Sequence, residues 1–190
     1  MKQASRVSLA LAASLLVFAL VVSALLLAYA RASSNLVLQA LTVLVSMGLV
    51  FYASHPLGHF FTAKAFGVST EYFFVGRSDF RKLETKPMSI VGGLMPTIGT
   101  KLNREGIARL PPRRRRYVFG EGVIVSNSLV GLELVCVLVA SFIPPAALVG
   151  ALFFVVMLAT EVMFSTKVGD LGKMANEFKK QAPLAAQVAR

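Results

Sequence analysis

Residues 36–61 read LVLQALTVLVSMGLVFYASHPLGHFF, twenty-six residues without a Lys, Arg, Asp or Glu, closed by the only two histidines of the chain, His55 and His59. As a helix rising about 1.5 Å per residue, this stretch is about 39 Å long, more than the roughly 30 Å hydrocarbon core of a bilayer. Working outward, residues 7–30, 123–143 and 146–164 are of the same kind, apolar and free of Lys and Arg. The whole chain is 56% hydrophobic and 15% charged, whereas a soluble domain carries about 25% charged residues. A soluble globular enzyme is therefore excluded, and the residues between the apolar blocks are too few for a separate water-soluble core. The expected fold is an all-α membrane protein, one domain over residues 1–190, with four transmembrane helices (7–30, 36–61, 123–143, 146–164). The cytoplasmic loop 67–118 is expected to hold a small β-hairpin or sheet, and the tail 170–190 a short C-terminal helix. The first apolar block has 24 residues against about 7–15 in a signal-peptide core, and reads as a true span. The single cysteine, Cys136, lies inside an apolar block and has no disulfide partner.

Charge sets the orientation. With four spans, the N-terminus, the long loop and the tail share one side, and all of the 20 Lys and Arg residues except Arg31 lie there. The positive-inside rule makes that side cytoplasmic, so the chain reads as a multi-pass cell-membrane protein with both termini inside. The run Pro111-Pro112-Arg113-Arg114-Arg115-Arg116 precedes the third span. At the membrane surface each basic residue gains about 1 kcal/mol from anionic lipid, so Arg113, Arg114, Arg115 and Arg116 are expected to face lipid headgroups. Nucleic acid is disfavoured as a partner, because the net charge of +11 is explained by topology. In the loop, 67–76 is short, aromatic, β-branched and bounded by glycines, which suits a strand. A second strand candidate runs over 89–100, interrupted by Gly92-Gly93 and Pro96.

The chemistry concentrates at the cytoplasmic end of the second span. His55 and His59 are four apart, so on a helix they share a face and can reach one metal ion; the other reading is a buried, hydrogen-bonded pair. Asp170 follows the fourth span on the same side, and His, His and carboxylate suit zinc; alternatively Asp170 caps the tail helix. Asn127 lies near the depth of the histidines and Glu161 near the cytoplasmic end of the fourth span. Glu133 is six residues deeper than Asn127 and reads as a protonated acid bonded to a neighbouring helix.

The order of these landmarks over residues 36–173 resembles the site-2 protease family of intramembrane zinc metalloproteases. His55-Pro56-Leu57-Gly58-His59, continued by Ala63-Lys64-Ala65-Phe66-Gly67-Val68, is similar to the family's His-Glu-x-x-His helix. Asn127 resembles its Gly-Pro-x-x-Asn position, and Asp170 its third metal ligand. The resemblance implies zinc held by His55, His59 and Asp170, with Asn127 beside a groove for a transmembrane partner.

Three departures bear on activity. Pro56 stands where the family has its general-base Glu, and proline has no titratable group. Val123-Ile124 replaces the Gly-Pro, and Leu171 the Gly after the Asp. Proline also removes a helical donor, so a kink or restart of the second helix is expected at residue 56. The leading expectation is a catalytically inactive site-2-protease-like protein, a pseudoprotease that binds a transmembrane or juxtamembrane partner around a structural zinc. One alternative is an active metalloprotease in which Glu161 or Glu71 replaces the base. The other is a metal-free membrane scaffold or complex subunit with a basic lipid- or ribosome-facing loop.

Overall fold

A computed structural model of the chain describes residues 5–77, 96–140 and 142–177. The elements run β1 (Ser5–Val7), α1 (Leu9–Ala32), α2 (Leu36–Ala65), β2 (Thr70–Arg77), β3 (Pro96–Leu102), α3 (Arg104–Arg109), α4 (Pro112–Val139) and α5 (Pro144–Val168). A last helical segment, α6, covers 170–177. Four helices, α1, α2, α4 and α5, are long and apolar enough to cross a membrane. Their outward faces are apolar: Phe18 and Leu25 of α1, Val139 of α4 and Val156 of α5 are all exposed.

Helix α2 is central and packs against α1, α4 and α5. Its end is a turn that needs a glycine: Gly67 has φ +73°, while Val68 N–H donates to the Ala63 carbonyl at 2.8 Å and Gly67 N–H to Lys64 at 3.1 Å. This left-handed cap sends the chain straight into β2. The apolar core joins Val43, Met47 and Val50 of α2 to Val130 and Val137 of α4, with Ala147 of α5. One polar seam crosses it. Ser46 donates to Glu133 Oε1, and Ser46 Oγ lies 2.7 Å from Ser23 Oγ, so α1, α2 and α4 are tied together. At the far end, Gln39 Nε2 donates to the Ser33 carbonyl at 2.6 Å and its Oε1 accepts from Ile143 N–H at 3.0 Å, holding both short interhelical loops.

The strands form one antiparallel sheet of order β1-β2-β3, with Val7 opposite Phe73 and Phe73 opposite Thr100. Phe73 is fully buried against Ala12 and Leu16 of α1 and Ala53 and Leu57 of α2, which seats the sheet under the helices.

Several sequence boundaries move. The first span starts at Leu9, because Val7 belongs to β1. The third helix begins at Pro112, so Arg113–Arg116 form its first turns rather than a loop, and residues 104–109 are also helical. Hydropathy marks where a helix becomes apolar, and Arg is a good helix former, so the helix extends past the apolar boundary. Strand β3 continues to Leu102, and the 89–95 part of its expected span lies outside the described residues, as does 178–190 of the tail. No break occurs at Pro56: α2 is one helix over 36–65. The proline is fully buried, and its carbonyl accepts from Thr100 Oγ1 of β3 at 2.9 Å, which ties this part of α2 to the sheet.

Candidate metal centre

Helical spacing puts His55 and His59 side by side on α2, their rings 5.2 Å apart. What they face is supplied by α4 and α6. Asp170 Oδ2 lies 3.3 Å from His55 Nε2 and 3.0 Å from His59 Nε2. Its other oxygen takes Lys173 Nζ at 2.8 Å, leaving one oxygen for the histidines. The ligand atoms of His55, His59 and Asp170 all lie within 4.8 Å of one another, and this group could hold a metal ion.

The far side of each ring decides its protonation. His59 Nδ1 is 2.9 Å from the Val118 carbonyl, and His55 Nδ1 is 3.3 Å from Glu161 Oε1, with Ser126 Oγ at 3.5 Å. A carbonyl or a carboxylate can only accept, so both Nδ1 atoms carry the proton. In the neutral imidazoles, Nε2 is then a bare lone pair. Two such lone pairs and a carboxylate oxygen converge with no hydrogen between them, an arrangement that requires a cation or additional protons. Metal-ligating histidines are characteristically held in this way, Nδ1–H on a carbonyl or carboxylate and Nε2 on the ion. Tetrahedral bonds of about 2.0–2.1 Å place ligand atoms roughly 3.3 Å apart, close to the two separations between Asp170 and the histidines.

Space for the group comes from Gly122. A Cβ there would overlap His59 Nε2 and stand 2.9 Å from His55 Nε2, so only glycine leaves the cradle open. Gly58 does the same for the helices: its Cβ would lie 3.1 Å from both the Glu121 carbonyl and Val125 Cβ, so α2 and α4 meet closely at this level. Where the histidines carry the additional protons, burial works against the charged form of Asp170, yet their hydrogen bonds, then the charges of His59 and Lys173, hold it well below the usual carboxylate range.

The remaining sequence candidates separate. Glu161 is buried and sits on the Nδ1 side of His55, away from the face shared with Asp170. Nine residues separate it from Asp170, but no continuous helix joins the two: α5 ends at Val168 and the chain turns at Gly169. Asn127 Nδ2 donates to Glu161 Oε2 and, at 2.8 Å, to the Val123 carbonyl. Asn127 does not line the groove. That groove, about 480 Å³, runs between α1, α2 and α4 past Leu20, Leu57, Phe61, Tyr117, Val125 and Leu129. Asn127 is two residues from Val125, roughly 200° around the helix. Glu71 is exposed on β2, beside the register slip between Thr70 and Tyr72. Of the arginines, Arg113 and Arg114 are exposed, Arg114 over the Phe66 ring, whereas Arg115 turns inward to Glu177. The Val118 carbonyl, Gly122 and Ser126 are the parts that sequence reasoning missed. Only the Gly120/Gly122 pair left a signal, since a backbone carbonyl has no residue identity.

No family model, curated protein or solved structure matches this chain.

Proposed function

We propose that the chain is a multi-pass membrane protein, termini on the cytoplasmic side, that holds zinc between His55, His59 and Asp170 without cleaving peptide bonds. It is read as a site-2-protease-like pseudoprotease whose groove between α1, α2 and α4 takes an apolar helix of a membrane partner. The observation that carries the metal is the pair of Nε2 atoms converging on one carboxylate oxygen, each ring held from behind by an acceptor. Two imidazoles and a carboxylate are a zinc donor set. The exposed apolar faces of the four long helices support the membrane setting, and the one-sided basic residues support the orientation.

The absence of turnover is argued from acid–base chemistry. Bound zinc would supply Lewis acidity, but peptide cleavage also needs a positioned group to move protons, typically worth about 10²–10⁴-fold. Pro56 offers none, Glu161 is engaged by His55 and Asn127, and Glu71 is exposed on the sheet. The groove is walled by a different stripe of α4 from the one facing the histidines, Tyr117, Glu121, Val125 and Leu129 rather than Val118, Gly122 and Ser126. A helix lying there is bound beside the centre rather than presented to it.

The test combines metal analysis with a cleavage assay on the purified full chain. The expected result is about one zinc per chain, lost in His59→Ala and on chelation, with no cutting of a panel of helical membrane substrates. Chelator-sensitive cleavage abolished by His59→Ala would overturn the pseudoprotease reading. A wild-type chain that takes up no zinc would overturn the metal reading, leaving the same contacts as ion pairs between protonated histidines and Asp170.

A further inference from the structure

The third ligand does not belong to a membrane-length helix. Helix α5 ends at Val168, and Gly169 turns the chain so tightly that a Cβ there would stand 2.8 Å from both Ser165 Cα and Ser165 Oγ. Leu171 N–H then donates to Ser165 Oγ at 3.1 Å. Asp170 opens the separate segment α6, residues 170–177. Gly169 separates this segment from α5, so its own contacts must hold it against the helices. What holds α6 in place is therefore what places Asp170.

Two contacts beside the histidines do so, both on α4. Met174 Sδ fills the notch at Gly120, where a Cβ would be only 2.7 Å from it. Glu177, buried at 6% exposure, has its carboxylate 3.2 Å from Arg115 Nη1. The same guanidinium donates through Nη2 to the Leu110 carbonyl at 3.1 Å and the Ala108 carbonyl at 3.4 Å, which aims it at Glu177. Within a run of four arginines, Arg115 thus serves the protein interior rather than the membrane surface. A buried charge that loses its partner is strongly destabilising, so the pair holds only when both members are in place.

We infer that α6 is a metal-dependent latch, in which docking of residues 170–177 on α4 and metal binding by His55 and His59 stabilise one another, with Arg115 and Glu177 as the positioning pair. This rests on the metal reading above and names the element that regulates that site. Coupling is reciprocal: if the ion favours the docked segment because Asp170 rides on it, the docked segment favours the ion by the same factor. Without the ion, α6 keeps the Met174 and Glu177 contacts and an ion pair of Asp170 with protonated histidines in place of the metal bond, so its docking is weaker. Undocking would release the C-terminal segment from α4 and expose Arg115, so zinc occupancy at the membrane would be readable from the cytoplasmic face.

The experiment uses the full chain in detergent micelles. Zinc affinity is measured by competition with a chromophoric chelator for wild type, Glu177→Gln and Arg115→Gln. The expected loss is about 10–100-fold in each variant, the range for partners that position a ligand. Cobalt(II) absorption provides a signature of the missing ligand: the spectrum of Glu177→Gln should match that of Asp170→Ala rather than wild type. Docking is read separately, from spin labels at Arg113→Cys and Asn176→Cys with Cys136→Ala. Zinc should give one narrow distance, and chelation should broaden it. A label distance indifferent to zinc overturns the inference even if the variants fail to fold, and so do unchanged affinities in both folded variants. If wild type takes up no zinc in the same titration, the metal reading falls first and the latch with it.

Discussion

The carbonyl oxygen of Val118 sits 2.9 Å from His59 Nδ1, and through this contact α4 decides which nitrogen of a residue on α2 faces Asp170. The bond works because Gly122, one turn further along α4, has no side chain to block the ring.

Gly122→Ala is the smallest test of that cradle. The added methyl occupies the space of both Nε2 atoms, so the rings must rotate away from Asp170. Zinc affinity is expected to fall by about 10–100-fold, with the helices retained by circular dichroism. Wild-type affinity in the alanine variant would mean that the rings do not converge as described.

Glu161 holds His55 from behind, at 3.3 Å from Nδ1. Glu161→Gln keeps an acceptor but loses the charge and should weaken zinc binding less than Glu161→Leu, for which a loss of about 10–100-fold is expected. Undiminished affinity in Glu161→Leu, measured by the same chelator competition, would show that the carboxylate is not what orients the ring.

Pro56→Glu introduces the glutamate that the proposed likeness to the site-2 protease pattern would require at this position. The proline ring is fully buried and its carbonyl is engaged by Thr100, so a carboxylate placed there must be desolvated or displace β3. The expected outcome is no gain of cleavage and a lower unfolding midpoint. Chelator-sensitive cleavage by this single variant would show that only the base is missing.

The Ser23–Ser46–Glu133 seam should matter for stability rather than for metal. Ser46→Ala removes the donor to Glu133 Oε1, and Glu133 Oε2 has no partner among the described residues. Loss of about 1–2 kcal/mol is expected, from buried hydrogen bonds in water and between membrane helices. Ser23→Ala should cost less, because Ser46 still reaches Glu133. Unfolding in detergent separates the two; unchanged zinc affinity in both assigns the seam to packing.

Orientation is checked with single cysteines in a Cys136→Ala background. Ser34→Cys, in the loop between α1 and α2, should react with an impermeant reagent only from outside the cell. Ser69→Cys, after α2, should react only from inside. Labelling of Ser34→Cys from the cytoplasm would reverse the topology.

The membrane-length helices were legible because hydropathy is additive along the chain: residues 36–61 are apolar enough and long enough to cross a bilayer whatever surrounds them. Their ends were less so. Arg113–Arg116 fall in the first turns of α4 although they are not apolar, because the helix begins at Pro112, where the missing N–H costs nothing. Strand β1 is three residues long, shorter than the 4–8 over which alternation can be read.

From sequence alone followed four apolar stretches of membrane-crossing length, the basic residues that flank them, the shared helical face of His55 and His59, and a proline at residue 56. Each depends on residue identity and local spacing, which one dimension contains. Only the tertiary structure decided that α2 runs unbroken through Pro56 and that Gly169 folds Asp170 back to the histidines. It alone placed the Val118 carbonyl and Glu161 behind the rings, and turned Arg115 inward to Glu177. These are contacts between segments 59 to 115 residues apart for the histidines. A carbonyl, an absent side chain or a turned guanidinium acquires a role only when packing sets a particular partner against it.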